Sequence, residues 1–250
     1  MLYAFALIEL TPLPHLKMTS PAMRHTIVPF VPAILLISIV ALASAADKRG
    51  PTIELFGAKT PADNRAAWKV FRESSDVDVI SQHRDDVLVI NPGPRGYLHT
   101  EQDFTNFVLK LEWRQLEDKK PGRGGVLIRM TGKDKVWPKS LEAQLNAGAA
   151  GDFWGLDGYA LTGPSQRFKK LEHEQLGTLR NLQKTDDTEK PPGQWNLYEI
   201  VADGETVTIK VNGRTVNKAT GCDVVAGKIC LTAEGDEIHF RNVRLTALPD

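Results

Sequence analysis

Cysteine is almost missing from this chain: Cys222 and Cys230 are the only two in 250 residues. That excludes a disulfide-stapled scaffold and a cysteine–histidine zinc set. Spacing alone leaves one Cys222–Cys230 bridge open, which in the chain-entropy model would contribute about 2–3 kcal/mol. Net charge is missing too, with 31 Lys and Arg against 31 Asp and Glu. A balanced chain gives no electrostatic reason to expect nucleic acid or an anionic membrane as partner. There is no Ser-centred nucleophile elbow. The glycines at 122, 124 and 125 match no phosphate loop, and His173 in LEHEQL lacks the second histidine of a zincin motif. Internal repeats and low-complexity tracts are absent as well.

A long apolar run is present only near the start. Residues 27–42 carry no charge, follow Met23-Arg24-His25 and lead into Ala43-Ser44-Ala45. A basic start, an apolar stretch and a small-residue exit predict a secretory signal over about 23–45. The run falls short of the ~20 residues that a membrane span needs. No stable membrane span is therefore expected once the leader is cut, and the absence of a following cysteine argues against a lipid anchor. Residues 1–22 fit no signal scheme; with Met18 and Met23 as later starts, they read as a gene-start artefact. Cleavage after Ala45 removes Lys17, Arg24 and Glu9, leaving 29 basic and 30 acidic residues in 46–250. That length suits one domain, located in the periplasm or secreted.

Within 46–250 the dominant period is two. NLYEIVA, ETVTIKV and RTVNKA are separated by Asp203-Gly204 and Asn212-Gly213, strong hairpin signals. Residues 228–234 and 237–245 read as another hairpin. Ile238 and Phe240 share one parity, Val243 and Leu245 the other, so a core role for all four requires a bulge near Arg241-Asn242. Further strands are expected at 86–90, 97–100, 105–114, 125–130 and 140–145. The interval 150–194 reads as long loop with a short polar helix inside 165–184. Many short strands and turns imply an all-β sandwich or jelly roll.

The alternation also sorts polar side chains. Phe107, Leu109, Leu111 and Trp113 fall on one face, Lys110, Glu112 and Arg114 on the other. Arg129 opposes Val126, Ile128 and Met130, and Glu142 with Gln144 opposes Leu141, Ala143 and Leu145. Such a stripe is compatible with plain solvation. Its composition, rich in Glu, Arg and Gln, instead favours bidentate recognition of polar ligands. His239 alternates with core residues and reads as exposed or structural, His173 as a surface residue.

Several segments occur together in order: YLHT at 97–100, LEWR at 111–114, WPKSLEAQL at 137–145, AGDFW at 150–154, GQWNLYEIV at 193–201, VNG at 211–213 and EGDEIHFRNVRL at 234–245. As a set over about 52–248 they resemble the 3-keto-disaccharide hydrolase domain family. The resemblance implies a concanavalin-A-like jelly-roll sandwich of two antiparallel sheets, and a carbohydrate substrate. It also implies hydrolase or lyase activity on 3-keto-glycosides, with the site on the concave sheet face under the 146–194 segment.

In the implied chemistry a ketone at sugar carbon 3 acidifies the carbon-2 proton, a base removes it, and the glycosidic oxygen leaves by elimination. That needs a base, a stabiliser for the enolate oxygen, and an acid or metal at the leaving group. Glu142 is the first candidate for the base, with Asp152 and His99 as rivals. Arg129 and Arg114 are candidates for the oxyanion, and Glu112, Gln144, Trp137 and Trp154 for substrate contact. A divalent metal beside Glu142, Asp152 and His99 is open, although no spacing selects one. Ordinary retaining hydrolysis needs two carboxylates about 5 Å apart; Gln144 cannot supply the second, and only Glu112 from a neighbouring strand would. A non-catalytic carbohydrate-binding module is the competing reading, and a ligand-free structural domain a third.

Overall fold

Alternating apolar residues bury one face of a strand and leave the other in water, so two sheets must cover each other. The computed structural model describes residues 49–57, 68–74, 81–84, 86–90, 95–117, 122–232, 234 and 237–249, all within the unit Ala46–Asp250. The expected leader lies outside the described residues. Every regular element among them is a β-strand. In chain order they are β1 (Thr52–Phe56), β2 (Trp68–Arg72), β3 (Ser81–Arg84), β4 (Val87–Ile90), β5 (Gly96–Thr100), β6 (Phe107–Gln115), β7 (Gly125–Thr131) and β8 (Lys139–Gln144). They continue with β9 (Phe153–Leu156), β10 (Phe168–His173), β11 (Gly177–Leu182), β12 (Asn196–Asp203), β13 (Thr206–Val211), β14 (Arg214–Ala219), β15 (Lys228–Thr232) and β16 (Ile238–Ala247).

The first sheet runs β14-β13-β12-β6-β16-β4-β3, with β1 also on β16; the second runs β10-β11-β9-β8-β7-β15-β5-β2. All described pairings are antiparallel. Between the sheets lies the main core. The first sheet contributes Leu109, Leu111, Trp113, Ile200 and Phe240, the second Leu98, Val126, Ile128, Leu141, Ala143, Phe153 and Leu231. A separate apolar cluster of Tyr97, Leu127, Met130, Leu156 and Cys230 lies on the outer face of the second sheet. That face is therefore not the fully polar surface that alternation alone would give.

Two expected details hold. Ile238, Phe240, Val243 and Leu245 are all buried, and the register of β16 slips between Arg241 and Arg244, with Asn242 at φ 52°. The Asn212-Gly213 turn joins paired residues Val211 and Arg214, both turn residues at positive φ. The other turn sits one residue later than expected. Asp203 pairs with Thr206, so Gly204 and Glu205 make it, and Gly204 alone needs positive φ. The hairpin expected of 228–234 with 237–245 does not form: β15 pairs with β5 and β7 in the second sheet and β16 with β1, β4 and β6 in the first, so the chain changes sheets between them. The polar helix expected within 165–184 is instead the β10–β11 hairpin. Lys169, Lys170 and Glu172 lie exposed on its outermost strand, and charge of this kind protects a sheet edge from unwanted pairing. Cys222 and Cys230 are free and buried, one in the main core and one in the outer cluster, on opposite faces of the second sheet.

Arg129 departs most from the alternation. It has φ 50° at a register shift of β7, which places Met130 in the outer cluster rather than with Val126 and Ile128. The guanidinium is fully buried. It donates to the carbonyls of Thr105 (2.8 Å), Asp223 (2.8 Å) and Gly204 (3.0 Å) and to Asn106 Oδ1 (3.2 Å). Gly227 passes so close to this bulge that a Cβ there would lie 2.5 Å from the Arg129 carbonyl carbon. The side chain thus ties three connecting segments at one end of the sandwich, and is not an oxyanion donor facing solvent. Its removal leaves several buried acceptors unsatisfied, at about 1–3 kcal/mol each. Arg129→Met is expected to lower unfolding stability by at least about 3 kcal/mol in denaturant titrations; stability within about 0.5 kcal/mol of wild type would contradict this role.

Candidate active site

Strand membership dissolves the polar stripe read from the sequence. Glu112 and Arg114 belong to β6 in the first sheet, whereas Glu142 and Gln144 belong to β8 in the second. Their polar faces point away from the shared core in opposite directions. Glu112 accepts from Arg241 Nε (2.9 Å) and Nη2 (2.6 Å) and from Asn242 Nδ2 (2.7 Å). Burial opposes its ionisation, but those hydrogen bonds prevail and hold the carboxyl below its usual range. Arg114 stacks over Trp195 at 4.6 Å and donates to His239 Nδ1 at 3.3 Å. His239 is buried and bonds Glu237 through Nε2 at 2.9 Å. This is a self-satisfied surface network, and neither Glu112 nor Arg114 can reach the Glu142 side.

On the outer face of the second sheet, Trp154, Glu142, Leu127, Cys230 and His99 stand in one row across β9, β8, β7, β15 and β5. His99 is three strands from Glu142, about 14 Å at normal strand spacing. Asp152 lies elsewhere, accepting a hydrogen bond from the Lys184 amide at 2.8 Å. Burial raises its pKa against the opposing effect of Lys184. Glu142, Asp152 and His99 therefore do not converge. Among the described residues no three His, Cys, Asp or Glu side chains stand together as metal ligands, so the donor set conceived for a divalent metal does not fit.

What gathers around Glu142 is different. A cleft of about 600 Å³ is lined by Arg123, Gly124, Trp137, Glu142, Gln144, Asn146, Leu156, Leu176, Leu179 and Glu234. The β10–β11 hairpin supplies Leu176 and Leu179 as one wall. Glu142 lies over Gly125, where a Cβ would come within 2.5 Å of its Oε1 and 2.7 Å of its Cγ. Thr232 Oγ1 accepts the Gly125 amide at 2.8 Å, and Asn146 Oδ1 the Gly124 amide at 2.9 Å. The start of β7 beneath the carboxyl is thereby fixed. Burial, and secondarily the negative charge of Glu234, pushes the Glu142 carboxyl up to about 8. Glu142 is thus a protonated acid at neutral pH beside a second carboxyl group.

Glu234 escapes a reading by strand faces because it follows β15 in a turn. Its amide donates to the Arg123 carbonyl at 2.6 Å, and its Oε1 accepts the Trp137 indole N–H. Trp137 has φ 55°, and Arg95 lies over its ring at 5.4 Å. Its segment is also pinned by the Tyr97 hydroxyl donating to Asp134 at 2.8 Å and by a Lys135–Asp157 ion pair at 2.7 Å. Trp154, paired with Glu142 across β8 and β9, has a buried indole N–H with no hydrogen-bond partner among the described residues. Of the residues proposed from sequence, Glu142, Gln144 and Trp137 line this cleft, Trp154 flanks it, and Glu112, Arg114, Arg129, Asp152 and His99 stand outside it.

The raised pKa has a consequence for stability. Between about pH 4.5 and 8 the native state retains a proton on Glu142 that the unfolded chain has lost, so stability falls as pH rises, by at most about 1.4 kcal/mol per unit. Glu142→Gln is expected to flatten this decline and to melt higher than wild type at pH 8.5. Parallel melting curves at pH 5 and 8.5 check it, and an unchanged difference between the proteins at the two pH values would contradict it.

The fold is shared with carbohydrate-active proteins. A candidate glycosyl hydrolase from Parabacteroides distasonis superposes with TM-score 0.52 at 18% identity, covering 80% of this chain and 100% of that one. A β-glucanase from Bacillus licheniformis does so with TM-score 0.52 at 10% identity, covering 80% and 99%. The carbohydrate-binding module CBM66 from Bacillus subtilis gives TM-score 0.51 at 13% identity, covering 71% and 94%. At these identities the likeness establishes the jelly-roll architecture alone. No functionally curated protein matches in sequence. The sequence model of the 3-keto-alpha-glucoside-1,2-lyase-like domain, however, matches residues 51–246. With its two-sheet fold and its carboxyl-bearing cleft, the chain belongs to that family.

Proposed function

We propose that this is an exported enzyme that cleaves 3-keto-glycosides by elimination in the Glu142 cleft. The observation that carries the reading is that two carboxyl groups share one cleft, Glu142, pushed up to about 8 by burial and by Glu234, and Glu234 itself, fixed by Trp137. Acid and base are then divided. Glu234 takes the carbon-2 proton, the C–H electrons pass into the enolate of the 3-ketone, and the enolate re-forms the ketone as the C1–O bond breaks. Glu142 gives its proton to the departing oxygen. An unsaturated keto-sugar and an alcohol result, and addition of water to the double bond would make the net reaction a hydrolysis. Arg123 lines the cleft and is the cation this reading assigns to the enolate oxygen, in place of Arg129 and Arg114. Leu156, Leu176 and Leu179 offer an apolar wall to a sugar ring.

Export is supported by the signal pattern at 23–45. No helix among the described residues is long and apolar enough to cross a membrane. The apolar floor and wall also suit a non-catalytic binding module.

Turnover of 3-keto-β-glucosides and 3-keto-trehalose, beside their unoxidised parents, separates these readings. Elimination predicts turnover of keto-sugars only, with Glu142→Gln and Glu234→Gln each lowering kcat by about 10²–10⁴-fold. Activity should fall as pH rises through about 8, where Glu142 loses its proton. Equal turnover of the unoxidised parents would point to paired-carboxylate hydrolysis, and glycan binding without any turnover to a binding module. Gly125→Ala is expected to displace the Glu142 side chain and cost about 100-fold in kcat/KM while the protein still folds. Full activity in that variant would contradict the placement of Glu142.

A further inference from the structure

The row that holds Glu142 continues to a second cleft. Beyond Leu127 and Cys230 stands His99, and a space of about 570 Å³ opens there, lined by His99, Asp103, Met130, Thr131, Gly132, Asp134, Ala226 and Lys228. Between the two clefts the segment from Gly132 to Pro138 crosses the sheet face. Its Trp137 is bound to Glu234 on one side and its Asp134 to Tyr97 on the other. Both clefts thus border one overlying segment, which gives Trp137 to the first and Gly132 and Asp134 to the second.

The polar groups of the second cleft have a definite character. His99 Nδ1 is 3.0 Å from the Thr100 carbonyl oxygen. A carbonyl cannot donate, so in the neutral ring Nδ1 carries the proton and Nε2 keeps a lone pair. No hydrogen bond from a described residue reaches Nε2. Asp134 is anchored through Oδ1 by the Tyr97 hydroxyl. Burial first, and then that bond, hold the Tyr97 phenol well above its ordinary pKa, so it remains a donor. Lys228 is engaged by Asp103 at 2.6 Å and by the Glu101 carbonyl. The cleft is therefore rich in acceptors over the apolar surface of Met130. Two carboxylates against one cation disfavour an anion, and no metal-binding group of three exists among the described residues. Neutral molecules bearing many hydroxyl donors fit such an array.

We propose that the His99 cleft is a second sugar subsite, so that the protein acts on neutral oligosaccharides long enough to occupy both clefts and not on single-unit glycosides alone. The chain would place its reacting unit at Glu142 and a distal unit at His99, with Asp134 and Lys228 bordering the latter. This deepens the reading of the Glu142 cleft as a glycoside-cleaving site and rests on it.

The test compares kcat/KM on nitrophenyl 3-keto-β-glucoside with that on 3-keto-cellotetraose and 3-keto-maltotetraose, in wild type and in His99→Phe. Phe retains the ring packed edge-on to Tyr97 at 5.9 Å and removes the acceptor. A tetrasaccharide of one linkage should be preferred by wild type. His99→Phe should lower the ratio of long to short substrate by about three- to tenfold, the weight of one hydrogen bond. Equal preference for long and short substrates in wild type, or an unaltered ratio in His99→Phe, would overturn the proposal. Calorimetry with the unoxidised tetrasaccharides and the Glu142→Gln protein separates the two readings. Binding that weakens when His99→Phe is added, with no turnover of any keto-substrate by wild type, keeps the subsite and removes the cleavage reading. Absence of binding, or binding indifferent to His99, removes the subsite whatever the short substrate does.

Discussion

A buried guanidinium closes one end of this sandwich, and the placement of the site follows from it. Arg129 draws together the segment before β6, the β12–β13 turn and the segment before β15 through four oxygen acceptors. To do so it leaves the alternation of β7 at a bulge of positive φ. Upstream of the bulge β7 keeps Gly125 and Leu127 on the outer face, and downstream it turns Met130 to that same face. Gly125 thereby lies beneath Glu142, and Met130 lines the second cleft. A regular β7 would send Arg129 outward and Met130 inward, and the outer apolar cluster would lose a member.

On that outer face a missing side chain matters as much as those present. Gly125 leaves room for Glu142 to lie against the strand, where water is scarce and Glu234 is near. Desolvation and like charge both favour the protonated carboxyl, so the acid state at neutral pH is a property of the fold. The positive-φ Trp137 backbone has its own counterweight in the bond to Glu234, the stacking of Arg95 and the ties of Asp134 and Lys135 on either side. Strain held by surrounding contacts in this way is characteristic of functional segments.

Much of the sandwich was legible in the residues. Alternation located β4 to β8, the β12–β14 meander and the strands β15 and β16, though not as the hairpin expected of the last two, and the parity switch at Arg241-Asn242 announced its bulge. The pattern could not assign strands to sheets, because that depends on long-range pairing. Hence Glu112 and Arg114 seemed to accompany Glu142 while belonging to the opposite sheet. The bulge at Arg129 carries no glycine or parity conflict to betray it, since Met130 is as apolar as Ile128. The β10–β11 hairpin was hidden by its charged outer strand, whose spacing of Lys and Glu imitates a polar helix. Glu234 was read as the last residue of the strand 228–234, and a strand end reveals little about what its side chain touches. Glu142 was singled out from its face and neighbours and does line the cleft, but the environment of its carboxyl depends on Gly125 and Glu234, which a single strand does not display.

The central claim is that Glu142 enters the cleft as an acid because of burial and of Glu234. Carboxyl-carbon NMR titration of glutamate-labelled protein measures this directly, with the Glu142 signal assigned by its absence from Glu142→Gln. The account predicts a midpoint near pH 8 that moves downward in Glu234→Gln. A midpoint near 4.5, or one indifferent to Glu234, would contradict it.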